Sequence, residues 1–487
     1  MSNILYMTSE VFPLIKTGGL ADVAGSLPAA LLELDQDVRI LVPAYPEVLE
    51  KVPSPRRLAT ASYYSLDVEL LETRLPGSNV LTWLVHCPAV FDRPGGPYTN
   101  SDGQPWHDNA LRFAIFCKVA VDIALDNLAL DWQPDIVHGN DWQSGLAMAL
   151  LSQHPSRPAT VFTVHNLAYQ GLFAYPMFRN LKLPDSLWGM QGLEFYGQLS
   201  FIKGGLVFAD RVNTVSPTYA REILLPEYGC GLEGLLQHRR DRLSGIINGI
   251  DQKVWDPKTD PHLPATYTHK TLAKKIRNKA ALQEKLGLPV NTDIPVIGFI
   301  SRMVEQKGLD IILQGMLDIL ALPIQMVILG TGEVHYEMQL AEWAQEHPEQ
   351  LKVIIGYNEA LSHQIEAGSD MFLMPSLFEP CGLNQLYSLR YGTLPIVTNV
   401  GGLADTVVDA SPANIENDTA NGFVLKTNSS DELLATLERA LQLHQKASLW
   451  RRLQVTAMSS DFSWKNSARH YIDLYKLALA DRDKAVH

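Results

Sequence analysis

Asp370-Met371-Phe372-Leu373-Met374-Pro375-Ser376-Leu377-Phe378-Glu379-Pro380-Cys381-Gly382-Leu383 is an apolar run that breaks into a polar turn. A helical segment follows to about Tyr391. Then come a second apolar run, Leu394-Pro395-Ile396-Val397, and the stretch Gly401-Gly402-Leu403-Ala404-Asp405. The order is strand, turn, helix, strand, glycine-rich turn, helix. In a parallel α/β sheet such turns lie at the carboxyl ends of the strands, where ligands bind. Glu379 and Cys381 then share one turn, and Gly401 and Gly402 form the next.

The same pentapeptide occurs near the start of the chain, as Gly18-Gly19-Leu20-Ala21-Asp22. It too follows a strand-like run, Asn3-Ile4-Leu5-Tyr6-Met7, and opens a helix-like segment. One glycine pair is ordinary turn punctuation. Two identical copies in one context suggest two similar α/β domains facing one cleft. Chance repetition in a chain rich in Gly, Leu and Ala is the alternative.

Strand and helix signals alternate on both sides of the opening stretch. Strand-like runs fall at 4–7, 38–42, 80–85, 136–138, 160–164 and 211–215 in the first half. In the second half they fall at 245–247, 296–300, 325–329, 352–355, 371–374 and 394–397. Helix-like segments lie between them, at 21–34, 109–128, 143–151, 309–320, 334–346 and 359–367, with Pro28 expected to loosen the first. Short, apolar, β-branched strands alternating with helices mean βαβ units and buried parallel sheets. The stretches 53–64 and 93–107 break the alternation, and the second reads as a long functional loop. A basic run, His238-Arg239-Arg240-Asp241-Arg242, marks the expected boundary. The predicted domains are 1–242 and 243–460. The tail 461–487 is helical, with Ala468, Tyr471, Ile472, Tyr475 and Leu479 on one apolar face.

A chain of 487 residues is long enough for two or three domains. Its net charge of −13 argues against nucleic acid or an anionic membrane as partner. No run is apolar enough to span a bilayer, and no basic region precedes the first strand. Cys87, Cys117, Cys230 and Cys381 are scattered, without metal-ligand spacing. That usage suits free thiols in a reducing compartment, so the expected location is the cytoplasm.

Several turns carry polar residues of interest. Lys16-Thr17-Gly18-Gly19 places a lysine before a glycine turn and a helix start, an arrangement that suits an anion. It matches neither the nucleoside-triphosphate loop nor the dinucleotide fingerprint; a tight turn with an exposed lysine is the plainer alternative. In Ser301-Arg302-Met303-Val304-Glu305-Gln306-Lys307-Gly308 two bases five apart can clamp a diphosphate, against a solvated charged turn. His138-Gly139-Asn140-Asp141-Trp142 and His165-Asn166 end two strands, which puts Asp141 and His165 where a sheet's polar ends converge. Glu379 suits sugar hydroxyls or a developing positive charge. Cys381 lacks a neighbouring base and reads as well as a buried small side chain.

In combination these motifs are similar to the bacterial glycogen synthase and plant starch synthase family. The resemblance rests on Lys16 to Val23, Asp108-Asn109 with Arg112-Phe113, His138 to Trp142, and Thr163-Val164-His165-Asn166. It continues through Val215-Ser216-Pro217, Asn248-Gly249-Ile250-Asp251, Ser301 to Gly308, Phe378 to Leu383 and Arg390-Tyr391-Gly392-Thr393. It covers nearly the whole chain in order. It implies an α/β protein of two Rossmann-like domains facing a central cleft, the GT-B arrangement, with a C-terminal helix crossing back to the first domain. It implies transfer of glucose from ADP-glucose to the non-reducing end of an α-1,4-glucan, with retention and without cofactor or metal. By motif, Lys16, Gly18 and Gly19 should contact the donor, Asp22 and Asn248 should bind substrate, and Arg302 and Lys307 should hold the diphosphate and stabilise the departing ADP. Glu379, Cys381, Gly382 and Leu383 should line the glucose and phosphate site. His165 and Asn166 should reach the sugar or acceptor, Asp141 the reaction centre and Tyr357 the adenine. A front-face route and a double displacement both fit these residues.

Departures are few. Asn384 stands where many relatives have Thr, and Thr398-Asn399-Val400 precedes the second Gly-Gly where many have basic residues. A sibling family using many sugar nucleotides commonly carries a second glutamate eight positions after the first; here that position is Tyr387. A UDP-glucose enzyme, a glucan-binding scaffold with a degenerate site, and a nucleotide-sugar epimerase are the alternatives. Tyr387 and the presence of Lys16, Arg302, Lys307 and Glu379 count against them.

Overall fold

The computed structural model describes residues 1–486 and divides into two units, Met1–Gly249 with the segment from Trp464 onward, and Ile250–Ser463. The strands of the first unit are β1 (Asn3–Met7), β2 (Asp37–Pro43), β3 (Arg56–Tyr63), β4 (Leu66–Arg74), β5 (Leu81–His86), β6 (Ile136–Asn140), β7 (Ala159–Val164), β8 (Leu172–Ala174), β9 (Glu194–Phe195), β10 (Gln198–Ser200), β11 (Arg211–Thr214) and β12 (Leu243–Gly245). Nine of them form one sheet in the order β12-β11-β7-β6-β1-β2-β5-β4-β3, and β8-β10-β9 form a small antiparallel one. From β12 to β5 every pairing is parallel. Ile4, Leu5, Tyr6 and Met7 of β1 are fully buried, as a strand covered on both faces must be.

The prediction of a purely parallel sheet fails at one edge. β3 and β4 pair antiparallel with each other, and β4 with β5. Residues 53–64, expected to be irregular, contain β3. Its charged residues hid it: Arg56 and Arg57 face Glu72 and Glu69 across the edge, the polar edge that guards a sheet against further pairing.

The second unit has one parallel sheet of β13 (Val296–Ile300), β14 (Gln325–Gly330), β15 (Leu351–Ile355), β16 (Met371–Met374), β17 (Leu394–Thr398) and β18 (Phe423–Leu425). Their order is β15-β14-β13-β16-β17-β18. Succession runs outward one way from β13 and the other way from β16. β13 and β16 therefore flank the topological switch point, the place in such a sheet where ligands bind. In the first unit the corresponding pair is β1 and β6. The helix predicted at 309–320 is divided at Gly315 into Leu309–Gln314 and Met316–Leu320.

The boundary expected at Arg242 lies at Gly249. Leu243–Gly245 is not the first strand of the second domain; it pairs parallel with β11 and closes the first sheet. The return lies at Trp464 rather than 461, and a Cβ on Gly249 would fall 2.6 Å from the Trp464 nitrogen. Helix Trp464–Val486 packs on helix Gly19–Leu32 and on β7. Its buried residues include Ala468, Tyr471, Tyr475 and Ala478, with Ile472 and Leu479 flanking. Tyr475 is bonded to His138 at 2.9 Å, and Asp481 forms ion pairs with Arg211 at 2.6 Å and Arg242 at 2.8 Å. No helix among the described residues is long and apolar enough to cross a membrane.

Candidate functional site

In the first unit the chain leaves β1, closes a small loop through the Val11–Ile15 bridge, and reaches Lys16. Gly18 caps helix Gly19–Leu32 in extended conformation, and Leu20, Ala21, Val23, Ala24 and Leu27 bury the helix's inner face. Lys16, Thr17, Gly18 and Gly19 are exposed. The turn is not an open cradle of amides, as its sequence suggests. Thr17 N and Gly18 N both donate to Glu10, at 2.5 and 3.1 Å, and Lys16 pairs with Asp22 at 2.8 Å.

Asp141 follows β6 with φ 54, in the left-handed region, where a non-glycine residue is strained. It caps helix Trp142–Leu151, and its carboxylate accepts the His165 amide at 2.7 Å. Desolvation pushes the Asp141 carboxyl up to about 7, against the pull of the His165 and Asn166 amides. His165 follows β7. Its Nε2 lies 3.0 Å from the Asn140 Oδ1, while Asn140 Nδ2 donates to the Met7 carbonyl at 2.9 Å. That fixes the amide orientation and makes His165 Nε2 the donor. Burial pushes His165 down to about 3, so the ring is neutral and Nδ1 carries the lone pair. Asn166 folds its Oδ1 back onto the Ala168 amide. His138 is wholly buried between Tyr475 and Thr163 and is structural.

In the second unit the loops at 301–308 and 375–383 are zipped together. Leu377 N donates to Gln306 O at 2.9 Å, and Gln306 Nε2 to Phe378 O at 3.1 Å. Gly308 has φ +73, and a Cβ there would lie 1.9 Å from the Pro375 carbonyl oxygen, so only glycine fits. The zipper brings Lys307 Nζ to 2.5 Å from Glu379 Oε2, with Ser376 Oγ at 3.3 Å. Glu379 is 6% exposed. Gly402 N donates back to Glu379 O at 3.0 Å, which joins the third loop to the other two. Arg302 is exposed in the same loop as Lys307. Gly382 has φ +72, and Leu383 caps helix Asn384–Tyr391. The substituted Asn384 donates to the Ile300 carbonyl at 2.6 Å, and Thr398 to that of Ser376 at 2.6 Å. Both departures from the family pattern thus tie loops at the switch point. Cys381 is buried.

Asn248 is 4% exposed in the first unit, and its Oδ1 has no hydrogen-bond partner among the described residues. Such an acceptor is expensive unless a ligand donates to it. Tyr357, 72% exposed in the second unit, offers a ring face, its hydroxyl bonded to Glu359. Of the predicted residues, the structure brings Asp141 to His165 in the first unit and Lys307 to Glu379 in the second; Lys16 and Asn248 lie in the first unit and Tyr357 in the second. Sequence reasoning missed Glu10, Tyr98 and the orienting role of Asn140. No motif spacing announces a buried carboxylate six residues before a turn.

Residues 3–238 match the model of the starch synthase catalytic domain, and residues 282–452 that of glycosyl transferases group 1. Glycogen synthase 1 of Methylococcus capsulatus is 56% identical over 98% of this chain and 97% of its own length. The glycogen synthase of Cellvibrio japonicus is 54% identical, over 98% and 99%. Among solved structures, the catalytic domain of starch synthase IV from Arabidopsis thaliana, bound to ADP and acarbose, superimposes with a TM-score of 0.89. It is 32% identical and covers 98% of this chain and 99% of its own. Sucrose-phosphate synthase from Thermosynechococcus elongatus shares the fold at a TM-score of 0.60 and 16% identity, covering 99% of this chain and 100% of its own.

Proposed function

Because the chain belongs to the family of glycogen synthases and starch synthases, glycosyltransferases of GT-B fold, we propose that it extends α-1,4-glucans from ADP-glucose with retention of configuration. The observation that carries the donor side is the Lys307–Glu379 pair, set by three interlocked loops at the sheet's switch point. Departure of ADP leaves negative charge on a phosphate oxygen. Lys307 and Arg302 supply fixed cations for it, and the first amides of helix Asn384–Tyr391, beside Gly382 and Leu383, supply oriented dipoles. With two such cations no metal or other cofactor is required; elongation undiminished by a chelator would bear that out.

Lys16, with Gly18, Gly19 and Asp22, serves the donor, Asn248 accepts from one of its hydroxyls, and Tyr357 stacks on adenine. Neutral His165 accepts a sugar hydroxyl at Nδ1, with Asn166 beside it. Asp141, when ionised, favours positive charge developing at the anomeric carbon. Glu379 orients Lys307, and with Cys381 it borders the glucose. The proposed location is the cytoplasm.

The test is one assay: purified protein, a short maltooligosaccharide primer, and either ADP-glucose or UDP-glucose, with chain length as readout. Faster elongation from ADP-glucose is expected. Equal or faster elongation from UDP-glucose overturns the donor assignment, and no elongation from either overturns the activity.

A further inference from the structure

Glu10 is 3% exposed, yet its carboxylate is fully engaged. Oε2 accepts Thr17 N at 2.5 Å and Gly18 N at 3.1 Å. Oε1 accepts the Thr17 hydroxyl at 2.6 Å and the Tyr98 hydroxyl at 2.5 Å. All four donors are uncharged groups. The nearest cation in sequence, Lys16, is directed instead to Asp22. A Cβ on Gly18 would meet nothing within 4 Å, so crowding does not set the shape of this turn. Glu10 sets it, by taking two successive amides and the hydroxyl between them.

Glu10 is itself held from the far side. Tyr98 comes from the loop at 93–107, which is anchored by the buried Arg112. The Arg112 guanidinium donates to the Val90 carbonyl at 2.8 Å, the Pro97 carbonyl at 2.8 Å and Asn109 Oδ1 at 2.7 Å, and it lies over the Trp106 and Phe113 rings. A chain of fixed contacts therefore runs from Arg112 through Pro97 and Tyr98 to Glu10, and from Glu10 to the turn that carries Lys16.

We propose that Glu10 is a positioning residue for donor binding, holding the Lys16–Gly19 turn in the shape that presents the Lys16 ammonium, with Tyr98 as its brace. The inference rests on the reading of Lys16 as a donor contact. It assigns Glu10 a geometric task and no proton transfer. A glutamine can perform that task. Its oxygen accepts from the two amides, and its NH₂ donates to the two hydroxyls, each of which also accepts. An alanine cannot.

The experiment compares Glu10→Ala, Glu10→Gln and Tyr98→Phe, each alone and in a Lys16→Gln background, by initial rates against ADP-glucose. Glu10→Ala should raise KM for ADP-glucose about tenfold, the scale of one net hydrogen bond, with a much smaller change in kcat. Glu10→Gln should stay within about twofold of the parent, and Tyr98→Phe should fall between. In the Lys16→Gln background Glu10→Ala should add almost nothing to KM, because the group it positions is gone. Hydrogen exchange on the ligand-free full chain is the second readout. The Thr17 and Gly18 amides should exchange faster in Glu10→Ala and at the parental rate in Glu10→Gln. A parental KM in Glu10→Ala overturns the proposal. So does an additive effect with Lys16→Gln, or a Glu10→Gln variant as impaired as Glu10→Ala. If the parent protein does not elongate glucan from ADP-glucose, the functional reading fails by itself, and the exchange rates still decide whether Glu10 holds the turn.

Discussion

Lys307 and Glu379 lie 72 residues apart in sequence and 2.5 Å apart in space, both largely buried. The contact joins the loop after β13 to the loop after β16. A charge pair with so little water around it is strongly coupled: removing one partner leaves the other uncompensated. Lys307→Ala is expected to lower kcat by about 10²–10³, the usual loss for one fixed donor at a developing anion. Glu379→Ala should cause a comparable loss, because an unpaired Lys307 no longer keeps its place. The double variant should be scarcely worse than either single one. Steady-state rates on the four proteins check this; losses that multiply would show that the two residues act independently.

The Lys16 ammonium is a third exposed and paired with Asp22 at 2.8 Å. A charge that contacts the donor equally in ground and transition states contributes uniform binding. Lys16→Gln should therefore raise KM for ADP-glucose with kcat little changed. Asp22→Asn should raise KM less, since it leaves the cation in place but loosens it. An unchanged KM in Lys16→Gln would remove Lys16 from the donor site.

Much of this was legible in the chain itself. Fully apolar β-branched runs gave the parallel strands, and the turn residues at their ends gave Lys307 and Glu379. The repeated Gly-Gly-Leu-Ala-Asp was a sound guide to architecture and a poor guide to cause. At Gly401 a Cβ would lie 1.9 Å from the Glu379 carbonyl oxygen, and at Gly402 2.1 Å from that of Cys381. Those glycines are there to admit the neighbouring loop. At Gly18 the space is open and the turn is held by Glu10. Identical letters thus answer different constraints, and only tertiary contacts separate them. The strand Arg56–Tyr63 was illegible for a related reason: an edge strand alternates with charge rather than burying both faces. The boundary at Gly249 was displaced because a three-residue strand is too short to declare which sheet it joins.

Within the second unit, His363 is stacked on Trp255 at 3.8 Å and bonded to Asp260 at 2.7 Å, with Glu359, His262, Tyr391 and Glu366 around it. Burial alone would push the imidazole down; the hydrogen bond to Asp260 and the Glu359 carboxylate 3.6 Å from the other ring nitrogen outweigh it and raise His363 to about 9. The unfolded value is about 6.5. A raised pKa adds stability that is complete below about 6.5 and is lost as pH rises through about 9. The contribution is on the order of 3 kcal/mol at most. Guanidinium unfolding at several pH values should show the parent losing stability across that window. His363→Gln should be less stable at the acid end and flatter in slope. Parallel pH slopes for the two proteins would contradict this.

Asp141 sets the last expectation, because its carboxyl is raised toward neutral pH. Desolvation pushes its carboxyl up to about 7, while the His165 amide at 2.7 Å favours the charged form. Its backbone is held in the left-handed region at φ 54, and the bond from the His165 amide orients the carboxylate. A retaining transfer builds positive charge at the anomeric carbon, and only the ionised carboxylate favours that charge. The rate should therefore climb with pH through about 7 as a single ionisation and level off above it. His165 does not contribute to this limb: burial pushes its ring down to about 3, so it stays neutral throughout. Asp141→Asn is nearly isosteric and keeps an acceptor for the His165 amide. It should be slower by about 10²-fold or more and should lack the limb. The discriminating measurement is kcat/KM for ADP-glucose from about pH 5.5 to about pH 8.5 in both proteins. An acid limb of unchanged midpoint in Asp141→Asn would assign the ionisation to another group, and near-parental rates in that variant would take Asp141 out of the reaction centre.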